Sequence, residues 1–371
     1  MTEKQPEAGS TPETFVGKTE KGPNLRAGLM QKVLGYQVSR AIYVVAQLNL
    51  ADLLKDEAKT VEQLAQETNS NPAALYRMLR MLTMVEVFEE TAPHRFALTP
   101  SGQLLRKGVP GSLYNMILFF GSPRVWQSWE DFSYCIQTGE NATNHVFGVP
   151  TWEYYSQHPQ EAPAFYNFMT ESSNQLGPAV AANYNFEGLG IVADVGGAQG
   201  NIIAAILKAN PQLKGILFDL PHVTAGARQH LVTTGVGERY QVIGGDMFEP
   251  WPFKADLYLI ARVLHDWDDE HTTAILRNCR QAMEANSKLA VVERILPTNK
   301  DAALLYYLSD LHMLVGPGGQ ERSLQEYQNL FKAAGLNFTR AIPLNPPFSL
   351  IEGEPEGFTK LSPGDRERSQ E

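Results

Sequence analysis

Cysteine is nearly absent: the 371 residues hold two, Cys135 and Cys279. They lie far apart and match no metal-ligand spacing, which excludes a disulfide scaffold and a zinc module and points to a reducing compartment. Positive charge is also scarce. The chain carries 31 Lys and Arg against 41 Asp and Glu, a formal net charge of -10, which is the wrong sign for a protein that binds nucleic acid by releasing counterions. No apolar run approaches the roughly 20 residues that span a bilayer. The N-terminus shows no charged-then-apolar signal pattern. The expectation is a soluble, cytoplasmic protein with no membrane partner. Internal repeats are missing too.

What is present suits a two-domain α/β protein, since 43% of residues are apolar and enough for sizeable cores. Residues 1–23 are rich in Glu, Lys, Pro, Gly and Thr, and 353–371 have the same character; both are expected to be disordered tails. Between residues 29 and 54, Leu29, Val33, Leu34, Val38, Ile42, Val45, Leu48 and Leu53 recur at helical spacing. Thr60 with Gln63 fits a capping box. Asn71 caps a further helix with Pro72 at its first position. Val87-Phe88 and Phe96-Ala97-Leu98 around Ala92-Pro93-His94 predict a β-hairpin. Helices followed by a hairpin over 24–110 form a winged-helix pattern. That pattern often binds DNA, and Arg77 and Arg80 could meet phosphates. Yet 24–110 holds ten Lys/Arg against eight Asp/Glu, a net of only +2. The third helix is also apolar on most sides (Tyr76, Met78, Leu79, Met81, Leu82), so a dimerisation role is favoured.

Residues 111–185 predict helical, aromatic-rich connecting material. From 186 to 352, short β-branched runs at 191–195, 215–220, 240–243, 257–263 and 289–293 alternate with helical segments. That alternation predicts a parallel sheet covered on both faces. Runs at 337–342 and 348–351 predict an antiparallel pair at one edge.

The first of these strands ends in Asp194-Val195-Gly196-Gly197-Ala198-Gln199-Gly200, with a helix starting at Asn201. Glycines there permit a tight turn and close approach to a ligand. The stretch lacks the first glycine of a dinucleotide fingerprint, where Val195 stands, and lacks a P-loop lysine. Asp194 would repel a pyrophosphate but suits the sulfonium and amino groups of S-adenosylmethionine. Asp219 ends the next strand, where a carboxylate can accept both ribose hydroxyls. Asp246 ends the third and could accept from an adenine amino group, with Met247 and Phe248 over the ring. After the fourth strand comes Leu264-His265-Asp266-Trp267. Glu293 ends the fifth, and Glu321 in Gly318-Gly319-Gln320-Glu321 could supply a second carboxylate. An imidazole oriented by carboxylates is a general base for a hydroxyl, an effect of roughly 10²–10⁴-fold. His, Asp and Glu could ligate a metal, but no compact ligand spacing exists, and none is expected.

Taken in order and spacing, these residues resemble the small-molecule O-methyltransferases of the caffeic acid, acetylserotonin and carminomycin type. The resemblance runs from residue 24 to 352, carried by 194–200, Phe218-Asp219-Leu220-Pro221, Gly245-Asp246, 261–267, Val292-Glu293 and 318–322. It implies a Rossmann-like methyltransferase sheet, an N-terminal winged-helix dimerisation domain, S-adenosylmethionine as cofactor and a homodimer. It implies that His265 is the base flanked by Glu293 and Glu321. It assigns the cofactor to Ser173, Asp219, Asp246 and Met247, to which the loop residues Asp194, Gly196, Gly197 and Gly200 and the candidates Leu220 and Arg262 are added. It assigns the acceptor wall to Phe165 and Met169; Phe119, Phe120 and Trp126 add an aromatic lining suited to an aromatic or polyketide-like secondary metabolite, and Asp266, His312 and Met313 are further acceptor candidates. Ala198 departs from the family's glycine. His312 is unusual on its helix; it either contacts substrate or packs. Three alternatives remain: a non-methylating enzyme on the same scaffold, a winged-helix regulator sensing a nucleoside, and, least favoured, a nicotinamide dehydrogenase.

Overall fold

The computed structural model describes residues 24–299 and 304–357. The tail expected at 1–23 lies outside the described residues, as do residues 358–371. The described chain forms two compact units, one ending at Arg106 and one beginning at Lys107.

The first unit is mainly helical. The apolar stretch 29–54 is not continuous: helices Leu25–Val33, Gly35–Gln47 and Leu50–Leu53 break at Leu34 and at Asn49, whose φ is 54°. An asparagine tolerates that left-handed backbone. The next two helix starts follow their capping signals. Thr60 accepts from the Gln63 N–H while Gln63 reaches back to the Thr60 N–H, opening Val61–Glu67. Asn71 accepts from the Ala74 N–H above Pro72–Thr83. Leu75, Leu79 and Leu82 of that helix are buried, whereas Arg77 and Arg80 are exposed. The hairpin is present as β2 (Phe88–Ala92) and β3 (Arg95–Leu98). A strand absent from the sequence expectation, β1 (Lys59–Thr60), pairs antiparallel with β3. Two residues are too few to show a period of two. Thr60→Ala removes the reciprocal cap, and its expected cost is about 1 kcal/mol, read as a lower denaturant midpoint; an unchanged midpoint would show the cap to be idle.

In the second unit, six helices between Tyr114 and Asn183 precede the sheet, the last and longest being Ala162–Asn183. The strands are β4 (Ile191–Val195), β5 (Lys214–Asp219), β6 (Tyr240–Gly244), β7 (Leu257–Ala261), β8 (Lys288–Arg294), β9 (Leu336–Pro343) and β10 (Phe348–Pro355), in the order β6-β5-β4-β7-β8-β10-β9. The first five pair parallel; β10 is antiparallel to both neighbours. The edge pair is thus where the sequence placed it, but the expected tail at 353–371 begins too early. Gly353 pairs with Leu289, and β10 continues to Pro355.

Because successive side chains leave opposite faces, each strand feeds two cores. Ala193, Val195, Phe218, Tyr258, Ile260 and Val291 pack on one side with Ile275 and Phe331. Val192, Leu217, Leu257, Leu259 and Val292 pack on the other with Ile203 and Leu207. Helix Ala162–Asn183 closes on helix Asn201–Ala209 at Gly177, where a Cβ would lie 2.8 Å from that of Ala205. Since β5 and β6 follow β4 on one side and β7 and β8 lie on its other side, the strand order reverses between β4 and β7. That switch point opens a crevice beyond the carboxyl ends of the strands. No helix among the described residues is long and apolar enough to cross a membrane.

Candidate functional site

Four of the loops expected to hold a nucleoside-type cofactor leave the same edge, since Val195 pairs with Phe218 and Ile260, and Asp219 with Gly244. The glycine loop is needed for space as well as for conformation. A Cβ on Gly196 would come within 2.6 Å of Val263, and one on Gly197 within 2.5 Å of Asp194 and Leu217. Gly200 has φ +80° and caps helix Asn201–Ala209. Ala198 also adopts a left-handed backbone, φ 50°, a conformation that costs a non-glycine residue about 1–2 kcal/mol. Its N–H donates to Asp219 Oδ2 at 2.9 Å while the Leu220 N–H donates to Oδ1 at 2.7 Å. Asp219 therefore holds the loop, and each oxygen keeps a lone pair for a ligand hydroxyl.

Asp194 sits differently from the expectation. It is 1% exposed beneath Gly197, both oxygens lack a hydrogen-bond partner, and burial raises its pKa to about 7. It can act on a cationic ligand through its field rather than from an open face. Asp246 is exposed and accepts from the Phe248 N–H. Met247 reaches to 3.7 Å from a Cβ placed on Gly196, but the Phe248 ring turns to Trp267 and His271. Ser173 lies one turn before Gly177 on the helix face that meets Asn201. The glycine cradle, the spare lone pairs of Asp219 and the unpartnered oxygens of Asp194 fit a nucleoside bearing a cationic tail.

His265 follows β7 in a short turn, Leu264–Asp266, and is 3% exposed. Its Nδ1 lies 3.4 Å from Glu321 Oε1 and 3.5 Å from Glu293 Oε2; Nε2 is 3.7 Å from Asp266 Oδ1. Burial alone would lower its pKa, but Glu293, Asp266 and Glu321 outweigh it and raise the value to about 9. The two glutamates differ. Burial pushes Glu293 up against the pull of His265. Burial also pushes on Glu321, but His265, Arg294 and Ser309 win and hold it at about 2. Glu321 Oε1 accepts from Ser309 Oγ at 2.7 Å and Arg294 at 3.1 Å. The donor atoms of His265, Glu293 and Glu321 lie within 4.8 Å of one another, types a divalent ion can use. Arg262 and Arg294 already bring positive charge there.

Roles unread in the sequence belong to the clamps on this turn. Glu293 Oε1 accepts the backbone N–H groups of Val263, Leu264 and His265 at 2.9, 3.0 and 3.4 Å. Arg322, 1% exposed, donates to the carbonyls of Leu264 and Trp267 and to Asp269. The Gln320 N–H donates to the His265 carbonyl at 2.9 Å. A Cβ on Gly319 would stand 2.0 Å from that carbonyl oxygen. The only signal for this was the double glycine before Gln320.

The acceptor residues gather partly as expected. Phe119 meets Phe165 at 5.5 Å, stacks on Phe168 at 5.3 Å and presents to His312 at 5.9 Å. Met169 lies against Arg262, whose Nη2 is 3.4 Å from its sulfur. Arg262 is itself left-handed, φ 56°, and burial with the nearby Arg294 lowers its pKa to about 10. Trp126 is half-buried on helix Pro123–Glu130, and Met313 on helix Leu304–Val315. Burial first, then Arg124, Arg294 and His265, push His312 down to about 4, so it is neutral at working pH. Arg124 is buried beside the Tyr155 ring, which stacks on Phe165, and went unread in the sequence.

Residues 129–337 match a family model described as an O-methyltransferase domain, and residues 30–108 one described as an O-methyltransferase dimerisation domain. The chain is 38% identical over 327 residues to phenazine O-methyltransferase PhzM of Lysobacter antibioticus, covering 88% of this chain and 95% of that one. It is 39% identical over 333 residues to O-demethylpuromycin-O-methyltransferase of Streptomyces alboniger, covering 88% of each. A solved structure of CalO1, a methyltransferase in calicheamicin biosynthesis in its S-adenosylhomocysteine-bound form, superposes with a TM-score of 0.79 at 32% identity, covering 89% of this chain and 98% of that one.

Proposed function

The chain belongs to the S-adenosylmethionine-dependent O-methyltransferases of secondary metabolism, and from that premise we propose that His265 is the general base that methylates a hydroxyl on a small aromatic or polyketide-like acceptor. The observation that carries this reading is the imidazole held by Nδ1 between two buried carboxylates with Nε2 left for the acceptor. Nδ1–H donates to Glu321 Oε1, with Glu293 Oε2 at 3.5 Å, which selects the tautomer whose Nε2 lone pair can take a proton. With S-adenosylmethionine bound, Nε2 would take the hydroxyl proton as the acceptor oxygen attacks. Glu293, Glu321 and Asp266 surround the imidazolium that results. Bound S-adenosylmethionine supplies an electrophilic methyl whose leaving group departs as a neutral thioether. The rest is positioning: the aromatic wall orients the acceptor ring, and Glu293 and Arg322 fix the turn.

On this reading Asp219 takes the ribose hydroxyls, Asp246 and Met247 take the adenine, and Asp194 and Ser173 lie at the methionine end. The reaction needs no metal. The N-terminal unit supports a homodimer, with exposed Leu25, Leu29, Met30 and Val33 available to be covered. Calorimetric titration with S-adenosylhomocysteine tests the cofactor assignment. Wild type is expected to bind in the micromolar range, and Asp219→Ala to bind roughly 10- to 100-fold more weakly, the worth of hydrogen bonds to a charged group. No binding by folded wild type would remove the methyltransferase reading of this site.

A further inference from the structure

Arg322 holds Asp269, Arg294 holds Glu321 and Arg340 holds Glu352. Arg124 has no such counter-ion among the described residues, although it is 4% exposed. Its Nη2 donates to Thr151 Oγ1 at 2.8 Å, the Tyr155 hydroxyl also accepts from the guanidinium, and Nε is enclosed without a partner. The guanidinium carbon lies 4.9 Å from the Tyr155 ring centre, 5.0 Å from that of Tyr154 and 5.7 Å from that of Phe147. Glu161, close by, is engaged by the Tyr154 hydroxyl. Aromatic faces offset part of the cost of enclosing a cation, but an unneutralised buried charge remains expensive.

This cation belongs to the aromatic wall of the acceptor site. Tyr155 stacks on Phe165 at 4.8 Å, Phe165 meets Phe119, and Phe119 meets His312. His312 feels the charges of both Arg124 and His265. Its Nδ1 is a second enclosed polar atom without a partner. One wall thus carries a positive fork and a neutral imidazole, both with unused hydrogen-bonding capacity.

Resting on the O-methyltransferase reading, we propose that Arg124 and His312 form a subsite for a carboxylate carried by the acceptor, at the far side of the ring from the hydroxyl that His265 serves. The guanidinium offers planar, paired donors that match a carboxylate, and the imidazole adds one further donor. The acceptor is then a hydroxyarene carboxylate, its ring against Phe119 and Phe165. The ligand supplies the counter-charge that the fold withholds.

The test is calorimetric, on full-length protein saturated with S-adenosylhomocysteine. The probes are 6-hydroxy-2-naphthoate, its methyl ester and 2-naphthol. The carboxylate is expected to bind wild type roughly 10- to 100-fold more tightly than either neutral probe, the scale of charge-assisted hydrogen bonds. In Arg124→Gln that ratio collapses, and in Arg124→Lys, which keeps the charge without the fork, it falls between. Melting curves show whether each variant is folded; if Arg124→Gln is not, the wild-type ratio and Arg124→Lys decide. Equal binding of charged and neutral probes by wild type, or no binding of any probe, overturns the subsite and marks Arg124 as a structural stack. Failure to bind S-adenosylhomocysteine is a separate outcome, and it overturns both the cofactor assignment and the subsite built upon it.

Discussion

Gly319→Ala is expected to lower kcat/KM for a hydroxyarene acceptor by about 100-fold, the scale of a 1 Å misplacement of catalytic groups. The cause is space. Gly319 is not in the left-handed region, so alanine is tolerated by the backbone itself. Its Cβ, however, would lie 2.0 Å from the His265 carbonyl oxygen, 2.4 Å from the Asp266 carbonyl carbon and 2.7 Å from the Trp267 nitrogen. All three are backbone atoms that cannot rotate away. The turn must retreat, and it carries the base. Affinity for S-adenosylhomocysteine should stay near that of wild type, because the glycine loop and Asp219 belong to β4 and β5. Stability should fall by roughly 1–3 kcal/mol, as for other overpacked sites. Turnover close to wild type would show that the contact between this loop and the turn does not position His265.

The second large effect is at the base. His265→Gln should cut kcat by roughly 10²–10⁴-fold, and the pH profile separates base removal from mere disruption. A base accepts a proton only when neutral. In the free protein the surrounding carboxylates hold the imidazole protonated up to about pH 9. Wild-type kcat/KM should therefore climb with pH with its midpoint at or below that value, since a cationic cofactor in the same site can only pull it down. The variant should lose this limb. Acceptors acidic enough to ionise unaided should lose the least. A rising limb that survives in His265→Gln would assign it to another group. The same shift has a stability consequence. A raised histidine pKa contributes stability fully present below about pH 6.5 and lost as pH rises through about 9. The cofactor-free protein should thus weaken across that window, and His265→Gln should weaken less.

Much of the architecture was legible because its signals are local. Capping pairs such as Thr60 with Gln63, and apolar runs such as 191–195, depend on neighbours in the chain. The strand-end placement of Asp219, Asp246 and His265 followed from the alternation of strands and helices. What could not be read depends on contacts made across the fold. Glu293 looked like a partner for an imidazole; that its other oxygen gathers three backbone N–H groups depends on the depth of the turn beside β8. Asp194 sat in a glycine-rich motif, yet the pleat of β4 sends it beneath the loop. Arg124 had no motif at all, because its surroundings come from helices brought together only in three dimensions.

The tie between Ser309, Asp310 and Glu321 reaches further than catalysis. Ser309 Oγ donates to Glu321 Oε1 at 2.7 Å, and Asp310 Oδ1 accepts from the Glu321 N–H at 2.9 Å. The same helix carries His312 and Met313, which the proposed function sets against the acceptor. Substitutions along it therefore disturb the base whenever they reshape the substrate wall. Phe119 and Phe165 line the same wall from other helices, Tyr114–Phe120 and Ala162–Asn183, and their apolar rings form no hydrogen bond to Glu321. Changes of acceptor range, by engineering or by drift, have their freest path there, and a library aimed at new substrates belongs on those positions.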